Sequence, residues 1–165
     1  MKRFAIYHAP RPGLLADAGA QWLGRDAASG AVLAQPHPDL HALTASPRRY
    51  GFHATLKAPF RLAPGETAEG LLHGLQALAA GLRPVTLEGL DVVLFGGFLA
   101  LVPRGDTTAL NTLAGSVVTG LDHFRAAMTD EERARRNPGA LDEHRRGLLD
   151  AWGYPYVLDA FRFHM

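Results

Sequence analysis

Residues 48–60 read Arg48-Arg49-Tyr50-Gly51-Phe52-His53-Ala54-Thr55-Leu56-Lys57-Ala58-Pro59-Phe60. Taken as a strand over 49–58, they split with period two. Tyr50, Phe52, Ala54, Leu56 and Ala58 fall on one face, and Arg49, Gly51, His53, Thr55 and Lys57 on the other. Successive strand side chains point to opposite faces, so an apolar back is expected behind a front carrying two cations, an imidazole and a hydroxyl. Gly51 on that front leaves room for close approach, and such a wall suits an anionic ligand. Downstream the pattern returns in part as Phe161-Arg162-Phe163-His164-Met165.

Around this stretch the chain alternates short strands with amphipathic helices. A first strand is expected over 3–8, closed by Pro10 and Pro12, and Tyr7 on it could line a cleft or equally pack with a wet tip. A helix follows from Gly13, with Leu14, Leu15, Ala18 and Trp22 on one face and Gly24 as its stop. Residues 25–47 form a long loop with a short helix near Leu40–Leu43. After the turn at Pro64-Gly65, Thr67 caps a helix whose buried stripe is Leu71, Leu72, Leu75, Leu78, Ala79 and Leu82.

Val85–Leu94 and Phe98–Val102 flank Gly96-Gly97, a hairpin signal. Thr107 or Thr108 caps the next helix, with Leu110, Leu113, Ala114, Val117, Val118 and Leu121 on its core side. Thr129-Asp130-Glu131-Glu132 is a capping box, Asn137-Pro138-Gly139 a breaker, and Leu141–Trp152 a helix ended by Gly153. The last strand is expected over 156–165. Scattered strands and a hairpin favour an antiparallel α+β design over a doubly wound sheet.

The 165 residues fit a single domain, and an apolar share of 47% suffices for a core. The formal net charge of +1 argues against a polybasic surface for duplex nucleic acid or membranes. Zero cysteines exclude disulfides and thiolate chemistry, and fit a cytoplasmic protein. The N-terminal apolar run is too short for a signal peptide or a membrane span. The other histidines lack ligand spacing, so no metal site is expected. The arginines at 133–136 and 145–146 are interleaved with acids and read as a solvated helical face.

His53 and Thr55 are two apart and project side by side. Imidazole moves protons near neutral pH, and the hydroxyl donates to a phosphoryl oxygen. With His164 facing it across a cleft, one histidine would be general base and the other general acid. Such a pair can open a cyclic phosphodiester or transfer a phosphoryl group without metal. Arg49, Lys57 or Arg162 could neutralise the phosphate, although strand-end cations are ordinarily solvated.

His53-Ala54-Thr55-Leu56 resembles the His-x-Thr-x signature of the 2H phosphoesterase superfamily. The wider context 48–60, the opening Arg3–Tyr7, the hairpin 96–103 and Trp152–Val157 resemble the branch of it linked to phosphonate metabolism, whose genes accompany carbon–phosphorus lyase operons. The likeness covers the whole chain.

It implies two duplicated lobes, each an antiparallel sheet with helices outside, with the second lobe cut short after His164-Met165, where a Thr or Ser would follow. It also implies a metal-independent, cofactor-free, cyclic phosphodiesterase-like hydrolase with His53, Thr55 and His164 as catalytic residues and Arg49, Lys57, Arg162 and Tyr7 as substrate contacts. The expected partner is a small phosphorylated substrate, with nucleic acid only as an RNA end or nucleotide. The second expectation is a non-catalytic binding protein for a phosphorylated sugar or nucleotide.

Overall fold

The computed structural model describes residues 2–165. Among these it is a mixed α+β structure with two small antiparallel sheets and six α-helices. The order is β1 (Phe4–His8), α1 (Leu14–Leu23), α2 (Leu40–Leu43), β2 (Ala54–Phe60), α3 (Ala68–Gly81), β3 (Leu90–Phe95), β4 (Phe98–Pro103), α4 (Thr108–Gly120), α5 (Asp130–Ala134) and α6 (Glu143–Trp152). β1 pairs with β2 and β3 with β4. No helix among the described residues is long and apolar enough to cross a membrane. The chain divides into two compact units, one of Thr55–His164 with the chain up to Ile6, the other of Tyr7–Ala54 with Met165.

In the first unit, Ile6 of β1, Phe60 of β2, Leu71 of α3, Val117 and Leu121 at the end of α4, and Phe124 form the core. α3 is capped as its sequence predicts, with the Thr67 hydroxyl accepting from Gly70 N–H. It buries less than expected: Leu71 is inside, but Leu72 and Ala79 face solvent. Gly74 explains the shift, because a Cβ there would lie 2.6 Å from the Phe124 ring, so the glycine lets that ring lie against the helix. α4 buries the predicted Leu110, Ala114, Val117 and Val118. At its N-terminus the Asp106 carboxylate accepts from Thr108 N–H, and no threonine side chain caps it.

The β3–β4 hairpin turns on Gly96 and Gly97, both at positive φ (56° and 98°), which glycine adopts without steric cost. Its register pairs Leu94 with Leu99 and Phe95 with Phe98. One face carries Val93, Phe95 and the buried Ala100. The other presents Val92, Leu94 and Leu99 to solvent at 69%, 74% and 58% exposure. The predicted capping box is formed at Thr129 and Glu132, and α6 ends on Gly153 in the left-handed region.

The strand expected over 156–165 is not formed. Leu158 sits at φ 53° and opens a 3-10 turn, Leu158–Ala160, after which the chain runs extended without a ladder partner among the described residues. The expected alternation survives, since Phe161 and Phe163 are buried and Arg162 is exposed. With sheets of two strands each, the duplicated two-lobe sheet fold is not what the described residues display.

The second unit is built on α1 and the loop after it. The expected apolar face of α1 is reversed: Leu14 is 90% exposed and Trp22 is also exposed, while Gly19 and Leu23 are buried. Phe52 lies so close to Gly19 that a Cβ there would come within 2.2 Å of its ring. The smallest residue therefore chooses the packed face. Loop side chains satisfy the carbonyls at the end of α1: Arg48 Nε donates to Leu23 O (2.9 Å) and Gln35 Nε2 to Trp22 O (2.7 Å).

The strand over 49–58 is also corrected. Pro47–Arg49 is a 3-10 turn, Gly51 has φ 81°, and the strand occupies Ala54–Phe60, running through Pro59. A residue at that φ interrupts extended backbone, so the alternation before His53 is not a strand face. The room at Gly51 is taken by the protein itself, since a Cβ there would meet the Ala27 Cβ at 2.2 Å.

Candidate functional site

The two histidine segments share one local geometry. His53 Nδ1 lies 2.9 Å from the carbonyl of Gly51, and His164 Nδ1 lies 2.9 Å from that of Arg162, each two residues back. A carbonyl oxygen only accepts, so Nδ1 carries the hydrogen in both rings and Nε2 is the basic nitrogen. Each ring also rests on an aromatic neighbour. His53 lies 3.9 Å from the Tyr7 ring, tilted by 39°, and His164 stacks on Phe95 at 5.1 Å and 21°, with Phe98 at 5.7 Å. The expected echo between the segments thus extends from sequence to hydrogen bonding.

His53 and Tyr7 belong to the second unit, and Thr55, Arg162 and His164 to the first. Arg162 is exposed and held by its own backbone, with Nη1 donating to Phe161 O (2.7 Å) and Asp159 O (3.1 Å). It lines a groove of about 330 Å³ with Phe95, Thr107, Asn111 and Phe163. Asn111 went unremarked in the sequence, and Thr107 was named there only as a candidate helix cap. Their signal was a polar pair four apart at the start of α4, and Asn111 Nδ2 donates to Thr107 Oγ1 at 3.3 Å.

Two expected substrate contacts lie elsewhere. Arg49 closes the 3-10 turn, exposed, and does not share a strand face with His53. Lys57 was placed on an open front but is 3% exposed. Its ammonium donates to Val118 O and to Asp122 Oδ1, both at 2.9 Å, and Arg125 forks onto the same carboxylate at 2.8 Å twice. Burial pushes the Lys57 ammonium below its ordinary pKa, against the pull of Asp122. For Asp122, burial acts upward, but hydrogen bonds from Arg125 and Lys57 prevail and hold it below the usual carboxylate range. Lys57 thus ties β2 to the end of α4.

Comparison with known proteins adds two relatives. The Ribose 1,5-bisphosphate phosphokinase PhnN of Janthinobacterium sp. (strain Marseille) is 41% identical over 172 residues, covering 100% of this chain and 38% of that protein. The protein of the same name from Laribacter hongkongensis is 34% identical over 167 residues, covering 98% of this chain and again 38% of its own length. The chain therefore spans 38% of the length of these curated relatives. No solved structure matches.

These names correct the expected activity. The resemblance implied a metal-independent phosphoesterase, whereas the relatives are named as kinases, which add a phosphoryl group instead of hydrolysing an ester. The hydrolase expectation is withdrawn on that ground. The family model described as "Protein of unknown function (DUF1045)" matches residues 55–165, two thirds of the sequence and nearly all of the first unit, and the chain belongs to that family.

Proposed function

We propose that this chain is the part of a longer enzyme of phosphonate metabolism that engages a small phosphorylated ribose. The observation that carries this is the alignment of essentially the whole chain with two proteins named for ribose 1,5-bisphosphate. The groove chemistry supports it. Thr107 and Asn111 offer a hydroxyl and an amide to sugar hydroxyls, and Arg162 offers a guanidinium to phosphate; His164, stacked on the lining residue Phe95, offers a basic Nε2. In the second unit the Tyr7 ring lies against His53 and orients it. The shared bond from Nδ1 to the carbonyl two residues back supports kinship of the two histidine segments with each other.

The test is calorimetric titration with ribose 1,5-bisphosphate, ribose 5-phosphate and ribose. Phosphorylated sugars should bind and ribose should not. Arg162→Gln or His164→Ala should weaken binding by about tenfold or more, the scale of one hydrogen bond to a charged group. Equal affinity for ribose, or unaltered affinity in both variants, would remove the assignment.

A further inference from the structure

Within the first unit, a second pocket of about 220 Å³ is walled by Arg3, Arg61, Arg125, Arg135 and Arg136, with Glu132 as its one acidic lining residue. Phe60, Pro59 and Met128 give it an apolar side. Five guanidinium groups against one carboxylate is a strong local excess in a chain whose formal net charge is +1.

Two of the five are already committed, which fixes them in place. Arg61 forks onto Glu132 at 2.8 and 2.9 Å and donates to Ala127 O at 2.7 Å. Arg125 forks onto Asp122 and donates to Ala151 O at 2.8 Å. Gly153, also in the lining, keeps its backbone open beside Arg125, since a Cβ there would stand 3.2 Å from that side chain. The other three form no ion pair among the described residues. The side chains of Arg3 and Arg135 make no hydrogen bond to any described residue, and Arg136 lies over the Tyr154 ring at 4.9 Å.

Cations gathered around a concave site repel one another and raise the local potential for an anion. The Arg61 fork first, then Thr129 N–H, hold the Glu132 carboxyl at about 2, with smaller charge contributions from Arg61 and Arg135. Planar guanidinium forks match phosphate oxygens. The pocket lies below the size range of drug-like sites, roughly 300–1,000 Å³, and so suits a phosphate group carrying at most a small sugar.

The geometry points to a second anion site, separate from the Arg162 groove, that takes a phosphate or small phosphate monoester on Arg3, Arg135 and Arg136, with Arg61 and Arg125 as fixed walls. It does not depend on the assignment of the histidines.

The test titrates the purified 165-residue chain at low salt with inorganic phosphate, ribose 5-phosphate and ribose. Saturable binding of both phosphate-bearing probes, none of ribose, and a loss of about tenfold or more in Arg3→Gln/Arg135→Gln are expected. Both replaced side chains are exposed and make no hydrogen bonds, so the fold should persist, as a thermal melt will check. Ribose 5-phosphate binding more tightly than phosphate would assign the site to an ester, and equal binding to the bare anion. Absence of saturable phosphate binding overturns the inference. So does unchanged affinity in the double variant. Loss in Arg162→Gln alone would move the anion to the groove, removing this pocket while supporting the proposed function.

Discussion

Replacing Asp122 with alanine should damage the protein more than replacing the lysine it holds. In Asp122→Ala, Lys57 keeps Val118 O and the face of the Phe60 ring at 5.4 Å but loses its counter-charge, while the residue is 3% exposed. Breaking a buried pair from one side costs about 3–5 kcal/mol, because the remaining charge is desolvated and unpaired. In Lys57→Met the charge goes with the side chain, a methionine fills similar space, and Asp122 retains the Arg125 fork. The residual cost is the unmet Val118 carbonyl, about 1–3 kcal/mol. Urea unfolding at pH 7 measures both, and for a chain of this size each kcal/mol corresponds to roughly 2–4 °C in Tm.

The double variant should cost less than the sum of the singles, by about 0.5–3 kcal/mol. Burial sets the pKa of Lys57 below its ordinary 10.5, so the folded state sheds that proton first as pH rises. Without the pull of Asp122 the Lys57 pKa falls further, so the Asp122→Ala deficit should shrink as pH rises between the variant's Lys57 pKa and the wild type's, both below 10.5. If Lys57→Met is as damaging as Asp122→Ala, or the two effects simply add, the buried-charge account of this contact is wrong.

Two further outcomes follow from packing and titration. Gly19→Ala should lower stability by about 1–3 kcal/mol despite alanine's better helix propensity, since the added Cβ meets the Phe52 ring at 2.2 Å; an unchanged urea midpoint would contradict this. The Glu132 carboxyl titrates at about 2 in the folded chain against 4.5 ordinarily, so its contribution is complete above pH 4.5 and disappears as pH falls through 2. The melting difference between wild type and Glu132→Gln should narrow across that interval, and a constant difference would speak against the Arg61 pairing.

Features decided within a few residues could be read in advance. The Thr67 cap, the capping box at Thr129, the Gly96-Gly97 turn and the core face of α4 all depend on near neighbours in the chain, and all are formed. The misread ones depend on partners distant in sequence. Gly51 looked like strand until Ala27 is seen to crowd it, the Leu14–Trp22 face of α1 looked like its core side until Phe52 packs on Gly19, and Lys57 looked like an open-front cation until Asp122 draws it inward.

At the candidate site, both histidines stood out by their repeated context. Their bonds to carbonyls two residues back and the aromatic beds beneath them required coordinates. The arginine pocket was invisible for a similar reason. Its five residues come from four separate segments, and the 133–136 run divides, with Arg133 pairing to Asp150 while Arg135 and Arg136 turn to the pocket.

The outward face of the β3–β4 hairpin bears on the colloidal behaviour of the protein. Val92, Leu94 and Leu99 form an aliphatic strip on a two-stranded ribbon, with no further strand paired to either outer edge among the described residues. Open edges beside apolar side chains are where chains add to one another, and a net charge of +1 supplies little long-range repulsion to oppose it. Crowding in concentrated solution should therefore be felt first at this ribbon, well before the helical core loosens.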